Sequence, residues 1–255
     1  MNLEIIREGR LLRIALNRPE KHNALNADTC RALVVNLRAA EADASVGAML
    51  LEGRGDMFCS GTDLDEALLP DASEKLAIHE ELLTIGSRIF KPIVAAVHGA
   101  ALGSGMSLIA NAHVVVAAQG ASFGLTEIRI GLWPFVGFRA VSQALGERRA
   151  LELSLTGRIF GTTEALQYGL VHEVAPRVEL EDRAVALARG LAEASPEAVR
   201  RGMTFVHDSR GAGPVESLQL AQSLRARAFR SADFAEGVRA FQEKRPPKWP
   251  SLREI

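Results

Sequence analysis

Apolar residues fall into short runs at Leu11 to Leu16, broken only by Arg13, and at Val46 to Leu51, Ile93 to Val97 and Val114 to Ala118, each bounded by turn formers. That is the pattern of buried strands. Between the runs the spacing changes. Cys30, Leu33, Val34 and Leu37 recur at helical intervals behind Asn26, whose side chain suits an N-cap, and Ile78, Leu82, Ile85 and Ile89 repeat the helical interval. Strand and helix alternating in this order predict an α/β layer with parallel strands over residues 1 to 190. Further on the strand pattern stops. Glu181 to Glu193, Pro196 to His207, Val215 to Arg230 and Asp233 to Lys244 read as helices, so residues 191 to 255 are expected to form a helical C-terminal region.

One stretch stands apart, because Pro92 to Thr126 contains no Asp, Glu, Lys or Arg. Its length would allow a membrane span, but His98, Asn111, His113 and Gln119, with Gly99, Gly103 and Gly105, interrupt the apolar run. A segment buried inside the protein is expected instead, and glycine-rich buried backbone often lies close to a ligand. Composition agrees: 255 residues, 47% hydrophobic and 24% charged, describe an ordinary globular chain. Lys plus Arg (30) nearly balances Asp plus Glu (31), which leaves no chain-wide basic field for nucleic acid or an anionic membrane. Cys30 and Cys59 form no metal-binding spacing and suit a reducing compartment, so a cytoplasmic protein is expected with no metal. Met1 to Arg10 lacks the apolar core of a secretion signal, and the mature protein is expected to start there.

Several chemistries fail on spacing. Gly103-Ser104-Gly105 begins like a dinucleotide fingerprint, but Leu108 holds the third glycine position, and Ser104 lacks the Gly-x-Ser-x-Gly frame of a hydrolase nucleophile. His98 and His113 sit in apolar strands, where a satisfied core histidine is the commoner outcome. Two strand-to-helix turns hold more promise: Phe58-Cys59-Ser60-Gly61-Thr62-Asp63 and His98-Gly99-Ala100-Ala101-Leu102-Gly103-Ser104-Gly105. Free backbone N–H groups at such turns carry the positive end of a helix dipole, and two together can hold an oxyanion; tight turns with no such role are the alternative. Glu127 is the first charged residue after the uncharged stretch. If it is buried, desolvation raises its pKa and makes it a better base; a solvent-facing glutamate is the other outcome.

Read together, Asn17-Arg18-Pro19-Glu20-Lys21-His22-Asn23-Ala24-Leu25, Phe58-Cys59-Ser60-Gly61-Thr62-Asp63-Leu64, Lys91-Pro92-Ile93-Val94-Ala95-Ala96-Val97-His98-Gly99, Phe123-Gly124-x-x-Glu127 and Phe241-x-Glu243-Lys244-Arg245 resemble, in order, the blocks of the crotonase family, the enoyl-CoA hydratase/isomerase superfamily. The resemblance implies an α/β fold of repeated ββα units with a helical C-terminal trimerisation region, assembled as a homotrimer or homohexamer. It implies an acyl-CoA thioester substrate and no separate cofactor, since coenzyme A is part of the substrate. The thioester oxygen would sit between the backbone N–H groups of Thr62 and Ser104, whose side chains would be incidental. Lys21, Ala24, Leu25, Ser60, Gly61 and Asp63 would line the coenzyme A path, with Phe241 a further binding residue and Lys244 a phosphate partner, from the same or a neighbouring subunit.

Two departures bear on the chemistry. Family hydratases carry two glutamates; the second matches Glu127, and the first aligns with Ser107, which is no carboxylate base. The family's Gly-Gly pair is replaced by Phe135-Val136-Gly137-Phe138 after Trp133-Pro134, which implies an apolar acyl pocket lined by Trp133, Phe135 and Ser107. Members that move a double bond work with one glutamate. The expected reaction is therefore conversion of a 3-enoyl-CoA to a 2-enoyl-CoA with Glu127 as the base. The alternatives are a hydratase in which Asp65 or Glu66 supplies the missing acid, and a non-catalytic acyl-CoA-binding protein.

Overall fold

All the predicted strands form, together with shorter ones that no pattern announces. A computed structural model of the chain describes residues 2–67 and 72–252. Residue 1, residues 68–71 and residues 253–255, which belong to the two expected regions, lie outside the described residues. The chain opens on a hairpin, β1 (Leu3–Glu8) against β2 (Leu11–Leu16). β1 is an edge strand with only Leu3 buried, and Glu4, Arg7 and Glu8 interrupt its apolar residues, so its sequence has no apolar run. α1 (Ala27–Ala42) begins where expected: Asn26 Oδ1 accepts from the Thr29 N–H at 2.9 Å. Then come β3 (Ala48–Gly53), starting after the Val46 of the apolar run, a short α2 (Leu64–Ala67) and α3 (Ala72–Thr84). The Ile78 to Ile89 interval is not one helix, because α3 tightens into a 3₁₀ turn at Ile85–Arg88, yet Leu82, Ile85 and Ile89 are all buried as their spacing predicts.

Next follow two strand-strand-helix units: β4 (Ile93–Val97), β5 (Ala100–Leu102) and α4 (Ser104–Ala110), then β6 (Val114–Ala118), β7 (Ser122–Gly124) and, after a 3₁₀ turn, α5 (Phe135–Leu145). The remainder is α6 (Glu147–Thr156), β8 (Phe160–Gly161), α7 (Thr162–Tyr168), β9 (Glu173–Ala175), α8 (Leu180–Ala192), α9 (Pro196–Asp208), α10 (Pro214–Ala228) and α11 (Ala232–Gln242). Within each unit the first strand joins a six-stranded sheet, ordered β1-β2-β3-β4-β6-β9, and the second joins a three-stranded sheet, ordered β5-β7-β8. The large sheet is parallel except for the β1–β2 pair.

Because side chains alternate along a strand, the large sheet has two apolar faces. Met49, Leu51, Ile93, Ala95, Val97, Val115 and Ala117 point into the main core with α1, whereas Ala48, Leu50, Val94, Ala96, Val116 and Ala118 meet Ala184, Val185, Ala188 and Ala192 of α8. Burial on both faces explains the uncharged stretch. It is the middle of the molecule, and among the described residues no helix is long and apolar enough to cross a membrane. A charged pair enters this interior: Arg13 on β2 makes two 2.8 Å bonds to Glu52 on β3.

Candidate active site

The two glycine turns meet. Cys59 pairs with Ala101 and Leu25 with Thr62 as parallel bridges, so the chain around residues 59–63 lies between the residue 25 segment and β5. Leu25 anchors Thr62 from both sides, donating its N–H to Gly61 O at 2.8 Å and accepting from the Asp63 N–H at 3.0 Å. Gly61 and Gly103 have φ of 114° and 53°, left-handed conformations that favour glycine. Contact adds to this at Gly61, where a Cβ would lie a tight 3.1 Å from Leu102 O and 3.7 Å from Ser104 N. Ser104 opens α4, so its N–H is among those a helix leaves unpaired. Among the described residues, neither the Thr62 nor the Ser104 N–H has an acceptor.

Glu127 stands beside this notch. The Gly103 N–H donates to Gly124 O at 2.8 Å and Leu102 pairs with Gly124, which ties the end of β7 to the second turn. Three residues on, Glu127 begins a 3₁₀ turn, and its carboxyl packs on Gly103: a Cβ there would lie 3.4 Å from Oε1. Oε2 is out of solvent and has no hydrogen-bond partner. Burial pushes the Glu127 pKa up from its ordinary value, against a smaller opposing effect of its own backbone N–H. Of the two outcomes that the sequence leaves open for Glu127, the desolvated one holds: the residue is half-buried and its Oε2 is shielded.

The other titratable groups nearby are occupied otherwise. His98 is buried with Nε2 on Gly55 O at 2.8 Å, and His113 Nδ1 accepts from the Ile93 N–H at 2.9 Å. Burial lowers both pKa values, that of His113 to about 4, so both are neutral, His98 buried and His113 half-buried. The buried Cys59 thiol is pushed up to about 12, which makes it a poor nucleophile. Glu66 Oε2 accepts from the Ala27 N–H at 2.7 Å and so caps α1, while Asp65, exposed, pairs with Lys21 at 3.1 Å.

Of the residues expected to hold the substrate, Ser60, Gly61, Thr62 and Asp63 form the first turn. Ala24 and Leu25 lie against it, and the Leu25 side chain is fully buried, so that residue offers backbone only. Ser107 is buried on α4, with Oγ on Gly103 O at 3.3 Å and so close to Gly137 that a Cβ there would fall 2.0 Å from it. Trp133 packs against Phe138 with ring centroids 5.9 Å apart and planes tilted by 36°, whereas Phe135, expected to line the acyl pocket, is 75% exposed in the single chain. Phe241 is not beside Glu127 in the single chain; it lines a separate apolar pocket of about 500 Å³ with Ser195, Phe234 and Trp249. Lys244 follows the end of the same helix, at a φ of 53°.

Sequence reasoning passed over the brace behind the first turn. Arg18 Nη1 reaches both Asp63 Oδ2, at 3.0 Å, and Ala24 O, at 2.6 Å, and Asn23 holds Arg54 O and Met57 O at 2.8 and 2.7 Å. Both residues stand in the Asn17 to Leu25 block. What could have drawn attention to them is that an arginine and an asparagine in such a motif are short of solvent and need partners.

The profile of the enoyl-CoA hydratase/isomerase family matches residues 7–252. A putative enoyl-CoA hydratase of Thermus thermophilus is 33% identical over 96% of this chain and 99% of its own length. A mevalonyl-coenzyme A hydratase of Aspergillus fumigatus is 34% identical over 94% of this chain and 91% of its own, and a 2,3-dehydroadipyl-CoA hydratase of Escherichia coli is 33% identical over 96% and 97%. The crystal structure of an enoyl-CoA hydratase from Bacillus anthracis superposes with a TM-score of 0.92 at 29% identity, covering 98% of this chain and 100% of that one. With the crotonase-type sheets and helices in place and the profile spanning nearly its whole length, the chain belongs to the enoyl-CoA hydratase/isomerase family of acyl-CoA enzymes.

Proposed function

We propose that the protein is an enoyl-CoA isomerase that converts a 3-enoyl-CoA to a 2-enoyl-CoA. The thioester oxygen accepts from the Thr62 and Ser104 N–H groups, which stabilise the negative charge that develops on it. Glu127 takes a proton from C2, the electrons spread over a dienolate, and the carboxyl returns the proton at C4, leaving the double bond between C2 and C3. One observation carries this choice: among the described residues, Glu127 is the desolvated carboxylate with an unpartnered oxygen beside the notch of two free amides. Hydration needs a base for water as well as an acid for the α-carbon, and by the resemblance Ser107 replaces the first of the two glutamates that family hydratases carry.

The names of the relatives favour a second reading, hydration of a 2-enoyl-CoA. It would require Asp65 or Glu66 to leave its Lys21 or Ala27 partner. Incubation with 3-hexenoyl-CoA and with crotonyl-CoA separates the two. We expect isomerised product from the first and little 3-hydroxy product from the second; vigorous hydration without isomerisation would favour the hydratase.

A further inference from the structure

The Thr62 and Ser104 hydroxyls, which a backbone-only oxyanion hole would leave idle, are bonded to each other. Oγ1 of Thr62 and Oγ of Ser104 lie 2.7 Å apart, one donating to the other. Upstream, ladder bonds hold the two turns together: the Cys59 N–H donates to Ala100 O and the Leu102 N–H to Cys59 O, each at 3.0 Å. Beyond Leu102 the ladder ends, because the Gly103 N–H turns away to Gly124 O. Among the described residues, the hydroxyl pair is the only hydrogen bond that joins the turns past that point. Each hydroxyl is separated from its own amide nitrogen by Cα and Cβ alone. Thr62 is stiff at χ1 because it is branched at Cβ, and the Ser104 side chain is buried.

We propose that the Thr62–Ser104 hydroxyl pair is a latch that fixes the separation of the two backbone N–H donors, which makes both side chains positioning residues. This rests on the oxyanion role given to those amides above. An oxyanion hole works by being set before charge develops, and small displacements of its donors are costly. A latch between turns from distant parts of the chain supplies that rigidity where the backbone ladder does not.

The test is a double-mutant cycle on 3-hexenoyl-CoA turnover with Thr62→Val, Ser104→Ala and the pair, each checked for folding by thermal melting. Loss of one hydroxyl already opens the latch, so each single variant should lower kcat about tenfold while KM stays within about twofold. The double variant should be no worse than the poorer single, and Thr62→Ser, which keeps the hydroxyl, should recover most of the loss. Folded single variants with kcat within about twofold of wild type overturn the latch, as do losses that multiply in the double variant. A loss confined to one of the two residues overturns it in favour of a hydroxyl that contacts substrate directly. An inactive wild type overturns the isomerase reading along with the latch, whereas an active wild type matched by Thr62→Val overturns the latch alone.

Discussion

At the scale of the residue, Glu127 pays for its burial with nothing in return but reactivity. A carboxyl whose folded pKa lies above its unfolded one binds protons more tightly in the native state, so its contribution to stability falls as pH rises from the ordinary value, 4.5, through the raised one. At neutral pH the native protein therefore carries a penalty that Glu127→Gln removes. That variant should melt no lower than wild type at pH 7, yet lose roughly 10²-fold or more in turnover with coenzyme A binding little changed. Near-native turnover would refute the assignment of the base. A base must be deprotonated to act, so the acid limb of kcat/KM should lie above the ordinary glutamate range; a limb at or below 4.5 would contradict the burial. Ser104→Pro tests the second amide donor. Position 104 is the first residue of α4, where proline suits a helix, so the substitution takes the N–H without breaking the element. We expect a loss of about 10² to 10³ in kcat, larger than that of Ser104→Ala.

At the scale of the element, what was legible followed from regular spacing. α1 could be read because its apolar residues recur at helical intervals and because Asn26 is a good cap, β4 and β6 because buried parallel strands are continuous apolar runs, and β2 because only Arg13 interrupts its run. β5, β7, β8 and β9 have two or three residues each, too few for a period, and their register is set by neighbours rather than by their own sequence. The same division holds in the site. The glycine turns and Glu127 were visible in residue type and place, whereas the Arg18 brace depends on left-handed turns at His22 and Asn23, with φ of 50° and 55°, that no local pattern announces. The Arg13–Glu52 pair was hidden for a like reason, since it forms only once β2 and β3 are in register. Glu52→Ala leaves Arg13 with Glu8 and Glu181 at the sheet rim, so we expect destabilisation of about 2–3 kcal/mol, below the 3–5 typical of a fully stranded buried charge. Urea unfolding measures it; a change below about 0.5 kcal/mol would show the pair to be dispensable.

At the scale of the whole molecule, the large sheet holds two faces of core while its β4 and β6 units hand their second strands to the small sheet, where β5 and β7 bring Ser104 and Glu127 together. The helical C-terminal region leaves Phe229, Phe234, Val238 and Phe241 substantially exposed, an apolar surface in keeping with the trimer or hexamer that we propose, in which Phe241 and Lys244 approach a neighbour's site. Light scattering should give a multiple of three chains, and a stable monomer would count against it. The central claim is that one shielded carboxyl carries the proton from C2 to C4. A single turnover of 3-hexenoyl-CoA bearing deuterium at C2 measures this directly, because Oε2 is out of solvent and exchange with water during one turnover is hindered. We predict that part of the deuterium appears at C4 of the 2-enoyl product. Complete loss of the label to water, or a 3-hydroxyacyl product with none at C4, would contradict the account.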